Sequence, residues 1–129
     1  MDDCWLDTHA FLWFINGSEA ISEKARLHIE NPQSRKFISI ASFWEIAIKI
    51  SIGKLKLDMH FRELKSITAN NGMEILPLTF EHTNKLTVLD FHHKDPFDRL
   101  IIVQALTEKL TIISRDPNFS HYAVKLIWW

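Results

Sequence analysis

The feature that most constrains this chain is a repeated order: a short apolar run, an abrupt polar residue, then apolar positions at helical spacing. Cys4-Trp5-Leu6 stops at Asp7 and is followed by Ala10, Phe11, Trp13 and Phe14, which read as strand, acid, helix. Phe37-Ile38-Ser39-Ile40 leads into a helical stripe over Ser42 to Ile52 through Phe43, Ile46, Ala47 and Ile50. Glu74-Ile75-Leu76 precedes a helix begun by Thr79 and containing Leu86 and Leu89, and Thr111 to Ser114 precedes a short helix after Pro117. Between these, Ser22 caps a helix that ends at Asn31-Pro32, Phe61 to Thr68 form another before Asn70-Asn71-Gly72, and a long helix runs from Pro96 to about Leu110. Val124 to Ile127 is a last strand. Runs that are apolar throughout, rather than alternating, belong to strands buried on both faces. The expectation is an α/β fold, a central, mainly parallel sheet of about five strands with helices on both faces.

Residues 1–129 are expected to form one domain, because no repeat, linker or like-charge block divides them. Three glycines and four prolines are too few turn residues for a sandwich of many short strands. A formal net charge of −1 provides no global positive field, so nucleic-acid binding would have to use local basic patches. Charges interrupt every long apolar segment, so no membrane span is expected. Cys4 has no second cysteine to pair with and the chain opens without a signal-type apolar run, which together point to a reducing cytoplasm.

In parallel sheets the ligand crevice lies beyond the carboxyl ends of the strands. Four acids are expected there: Asp7 after the first strand, Glu45 early in the helix after the second, Asp98 opening the long late helix, and Asp116 after the fourth strand. Converging carboxylates repel by about 4 kcal/mol for a pair near 4 Å at an effective dielectric of 20. A cation or a shared proton must relieve that. Oxygen ligands without Cys or His suit Mg²⁺ or Mn²⁺, which keep bound waters available as nucleophiles, so the implied chemistry is metal-assisted phosphodiester hydrolysis.

Each acid also has a purely structural reading. Asp7 can cap the first helix, Ser42 and Glu45 have capping-box spacing, and Glu45 and Lys49 form an i,i+4 pair. Asp95-Pro96-Phe97-Asp98 is a good helix start with Asp95 as the cap, and Asp116 before Pro117 fits another. His92 and His93 read as a solvated loop pair rather than metal ligands, and the five tryptophans as core or subunit-interface residues rather than base-stacking ones.

Taken together, Leu6-Asp7-Thr8-His9-Ala10-Phe11-Leu12-Trp13, Ala41-Ser42-Phe43-Trp44-Glu45-Ile46-Ala47-Ile48-Lys49, Asp95-Pro96-Phe97-Asp98-Arg99-Leu100-Ile101-Ile102-Val103-Gln104-Ala105 and Ile113-Ser114-Arg115-Asp116 resemble the PIN-domain ribonucleases of the VapC type, toxins of type II toxin-antitoxin systems. The resemblance implies a PIN-like fold and a Mg²⁺-dependent pocket in which Asp7, Asp98 and Asp116 hold the metal directly or through water. Glu45 would complete the shell and orient or deprotonate the attacking water, with Thr8 and Ser114 in support. Asp98 rather than Asp95 is matched to the family's acid, because it directly precedes the stretch from Leu100 to Ala105. The chain departs from the family at Ser114, where Thr is frequent, and at the bulky cation Arg115.

The function expected from these residues is endonucleolytic cleavage of RNA by a toxin, with substrate phosphates held by Lys49, Lys54, Lys56, Arg99 and Arg115. A cognate antitoxin could fill the same pocket with an Arg or Lys, and a homodimer is expected. The competing expectation is a non-catalytic protein-interaction module whose acids are only helix caps. A small phosphohydrolase with Asp7 as nucleophile ranks below both, because Asp7-Thr8-His9 lacks a second acid two residues on.

Overall fold

The computed structural model describes residues 3–90, 95–116, 119, 122 and 124–128. Five strands, β1 (Cys4–Leu6), β2 (Lys36–Ser39), β3 (Met73–Leu76), β4 (Thr111–Ile113) and β5 (Leu126–Ile127), form one sheet in the order β3-β2-β1-β4-β5. Every neighbouring pair is parallel. The α-helices among the described residues are α1 (Thr8–Ile15), α2 (Glu23–Glu30), α3 (Ile40–Ser51), α4 (Leu64–Asn70), α5 (Phe80–Leu86) and α6 (Pro96–Glu108), with a 3-10 turn at Phe61–Glu63 leading into α4. The expected α/β architecture is therefore present, and the sheet is parallel throughout.

Alternation along each strand divides the core in two. Cys4, Leu6, Ile38, Met73 and Ile113 pack on one face against Phe11 of α1, Ala25 and Ile29 of α2, Phe43 and Ile46 of α3, and Leu64 of α4. Trp5, Phe37, Leu76 and Ile112 pack on the other, against Ile101, Ile102 and Ala105 of α6 with Phe119 and Tyr122. Helix α6 buries the whole run from Ile101 to Ala105, including Gln104. The Gln104 amide is satisfied there: Trp5 Nε1 donates to its Oε1 at 3.3 Å, and its Nε2 donates to the Pro77 carbonyl at 3.3 Å. Among the described residues no helix is long and apolar enough to cross a membrane. Cys4 is fully buried, and burial pushes its thiol up to about 11.

Some boundaries differ from expectation for identifiable reasons. Helix α3 begins at Ile40, because Ser39 takes the cap position in extended backbone and its Oγ accepts the Ala41 N–H at 3.1 Å. Ser42 thus lies inside the helix, buried and with its hydroxyl unbonded, and the capping box expected with Glu45 does not form. Helix α5 ends at Leu86, so Leu89 lies beyond it. Trp5 is fully buried as expected, but Trp44 is 62% exposed on α3 and is no core residue. The readings made for His92, His93 and Pro117 lie outside the described residues.

Helix α6 is capped by Lys109, held in the left-handed region at φ 57° and ψ 49°. A Cβ is disfavoured there and glycine is not, although glycine also loosens the unfolded chain. Lys109→Gly is expected to raise the unfolding free energy by about 0.5–1 kcal/mol in urea melts.

Candidate active site

Parallel pairing sets the site. Leu6 of the central strand is in register with Ile38 and Ile113, so Asp7, Ser39 and Ser114 come together at the carboxyl end of the strands. Asp7 extends the pairing by one step, its N–H donating to the Ile113 carbonyl at 3.1 Å. Its two carboxylate oxygens have separate duties. Oδ1 accepts the Ala10 N–H at 2.7 Å and caps α1, as expected, while Oδ2 accepts the Ser114 hydroxyl. Ser114 Oγ in turn accepts the Asp116 N–H at 3.0 Å, which ties the turn after β4 to the carboxylate after β1. Asp7 is 8% exposed, and burial pushes its carboxyl above the usual range against the opposing effect of the Ser114 and Ala10 bonds.

Glu45 reaches the same place from α3. Its Oε1 accepts the Thr8 hydroxyl at 2.7 Å, and its Oε2 pairs with Lys49 Nζ at 3.2 Å, the i,i+4 contact expected from the sequence. Asp98 comes from the first turn of α6, whose cap is Asp95, with Oδ1 accepting the Phe97 N–H at 2.8 Å. An acid in a helix's first turn ordinarily has its charged form favoured. Asp98 behaves oppositely: its carboxyl is pushed up to about 7, first by burial and then by the charges of Asp95, Asp116, Glu45 and Asp7.

These groups surround one cavity of about 180 Å³ lined by Asp7, Thr8, His9, Glu45, Lys49, Asp95, Asp98, Ile101, Asp116 and Phe119. All four acids singled out in the sequence are there. They share a cavity rather than a closed shell, since among the described residues no three His, Cys, Asp or Glu side chains already stand close enough to hold an ion. Of the basic residues, Lys49 lines the cavity and Arg99 and Arg115 do not. The Arg99 guanidinium donates to the carbonyls of Asp90 at 3.2 Å and Leu89 at 3.4 Å, and Arg115, Lys54 and Lys56 are exposed. The sequence reading passed over His9. Its position two residues after Asp7, in the first turn of the helix that Asp7 caps, was the available signal.

The family model of the PIN domain matches residues 4–125. The chain belongs to the PIN-domain family. None of the curated proteins searched matches this PIN domain in sequence. Among solved structures, it is similar to VapBC2 from Rickettsia felis bound to a DNA fragment from their promoter, with 18% identity, 97% of each chain covered and a TM-score of 0.71. A toxin-antitoxin complex from Klebsiella pneumoniae is similar at 15% identity over 97% of this chain and 96% of that one, with a TM-score of 0.65. FitAcB from Neisseria gonorrhoeae follows at 16% identity, 96% of each chain and 0.59. At these identities the likeness to the PIN domain is one of fold.

Proposed function

We propose that this PIN domain is a Mg²⁺-dependent endoribonuclease, with Mn²⁺ able to substitute, that hydrolyses RNA phosphodiester bonds as the toxin of a VapC-type pair in the cytoplasm. The observation that carries the reading is the gathering of Asp7, Glu45, Asp98 and Asp116, from four parts of the chain, around one cavity. Capping accounts for one oxygen of Asp7 and for Asp95. It leaves Asp98 unexplained, and the Lys49 pair accounts for one oxygen of Glu45.

The donor set fits a hard divalent cation, being all carboxylate oxygen and carrying more negative charge than Asp98 can share without holding a proton. Asp7, Asp98 and Asp116 would hold the ion directly or through water. Such an ion, when bound, polarises the phosphate and makes a water more acidic. The rest falls to the chain's own groups. Glu45 orients the attacking water or takes its proton, and Thr8 and Lys49, one on each oxygen, fix the carboxylate for that task. Ser114 holds Asp7 in place. Lys49, Lys54, Lys56, Arg115 and Arg99, the last held on the carbonyls of Leu89 and Asp90, serve the RNA phosphates. A cognate antitoxin that inhibits the enzyme fits the similarity to the toxin-antitoxin complex from Klebsiella pneumoniae.

The test is cleavage of end-labelled RNA by the purified chain. Discrete bands with Mg²⁺ or Mn²⁺ and none with EDTA are expected; cleavage indifferent to EDTA, or none with either metal, would sink the proposal. An interaction module, favoured by the two caps, predicts no metal effect at all.

A homodimer is proposed through the apolar face where Ile40, Trp44 and Phe61 stand exposed around a groove of about 460 Å³, because a patch of this kind on one side of a helix calls for cover. Trp44→Glu is expected to convert a dimer to a monomer in sedimentation, while the far-UV spectrum is kept.

A further inference from the structure

We infer that His9, backed by Trp13, is a base-stacking step beside the acidic cavity, receiving an unpaired RNA base next to the phosphate to be cut. The inference rests on the ribonuclease reading and names the substrate feature that the site selects. His9 lines the cavity and is exposed, although Thr8 and Ala10 on either side of it are buried. Helical i,i+4 spacing lays its ring on Trp13, with centroids 5.7 Å apart and planes at 28°. Trp13 is half-buried and leans in turn on Trp128, at 5.7 Å and 58°, and Trp128 packs against the core formed by α1 to α4. The three rings thus form a row that runs from the core to the mouth of the cavity and ends on an exposed imidazole. Among the described residues the His9 side chain makes no hydrogen bond, and the ring it rests on is that of Trp13.

A pair that served only to stiffen α1 could stand anywhere along the helix. This one borders the cavity to which the ribonuclease reading assigns the scissile phosphate. Every base has a π-face, so an aromatic platform at that point accepts any unpaired base and refuses one already stacked and paired in a duplex. His9 would touch the substrate; Trp13 acts through it as a positioning residue.

The experiment uses the full chain, Mg²⁺ and a short single-stranded RNA with one cleavage site, against wild type, His9→Ala and His9→Phe. Each nucleotide flanking the cut is also made abasic in turn. His9→Ala is expected to raise KM roughly tenfold, the lower part of the range for lost base stacking, with kcat changed by no more than about twofold. His9→Phe should restore KM to within about threefold, because it keeps the ring. Removing the stacked base should cost wild type the same factor and cost His9→Ala nothing more. An unchanged KM in His9→Ala overturns the inference, as do losses from the abasic site and His9→Ala that simply multiply, or a His9→Phe protein as weak as His9→Ala. If wild type cleaves no RNA with Mg²⁺, the ribonuclease reading itself falls and takes the inference with it, an outcome distinct from the other three.

Discussion

Asp98→Asn is expected to lower RNA cleavage by about three orders of magnitude, because a lost ion ligand removes several kcal/mol of charge stabilisation at roughly tenfold per 1.4 kcal/mol. The substitution keeps size and shape, so the far-UV spectrum and the cooperative melt should be retained. Asp95→Asn is the informative companion. Asparagine caps a helix as well as aspartate does, so the Phe97 N–H keeps its partner and α6 keeps its start. Only one of the charges acting on Asp98 is lost, and the rate should fall by less than about tenfold. Initial rates on end-labelled RNA in Mg²⁺ decide between the two acids of Asp95-Pro96-Phe97-Asp98. Equal rates for Asp98→Asn and wild type, or the larger loss in Asp95→Asn, would refute the assignment of Asp98.

How far the sequence revealed these features depended on whether the deciding interaction was local. The strands were legible because both faces of a parallel sheet are covered, which makes Cys4-Trp5-Leu6 apolar throughout and buries every position of Thr111-Ile112-Ile113. That Asp7, Glu45, Asp98 and Asp116 would lie at one end of the sheet followed from where strands end and helices begin. Their shared cavity did not, since it depends on the strand order β3-β2-β1-β4-β5, which no local pattern encodes. The start of α3 was misplaced because Ser39 and Ser42 are both plausible caps, and the choice turns on Ser39 leaving β2 in extended backbone. Glu45's pair with Lys49 was local and legible, but its other partner was not: Thr8 lies 37 positions away in sequence and meets it only through packing of α1 on α3. Trp44 and Trp5 looked alike as sequence. Trp5 is enclosed between the sheet and α6, whereas Trp44 meets only the edge of Phe97 and is otherwise exposed on α3, a difference of neighbours rather than of residue type.

Without divalent ions, the protein is expected to lose stability as pH rises from 5 to 8, the reverse of the behaviour produced by salt-bridged carboxylates. The sign follows from Asp98, whose carboxyl in the folded protein is raised from 3.8 to about 7 by burial and by its acidic neighbours. Between those two values the unfolded chain has released the proton and the folded chain still holds it, so folding is penalised progressively with rising pH and fully above 7. Complete linkage over such a shift corresponds to about 4 kcal/mol, which partial exposure and screening reduce to about 1–2 kcal/mol. Asp7 is raised as well and acts in the same direction. Glu74, lowered by Arg35, has the opposite sign, but its contribution is lost only as pH falls through its own depressed value, below this window. Asp98→Asn removes the ionisation, so it should flatten the profile and make the ion-free protein more stable than wild type at pH 8 by about 1–2 kcal/mol, and by less than half as much near pH 5. Mg²⁺ at a hundred times its dissociation constant should then stabilise wild type at pH 8 by about 2.7 kcal/mol and the variant by much less. Urea melts across the pH range, with EDTA and with Mg²⁺, measure both effects together. If the acids were only helix caps, stability would not fall with pH, the variant would gain nothing, and Mg²⁺ would leave both proteins where they were; a repulsive cluster that a cation neutralises requires all three to change.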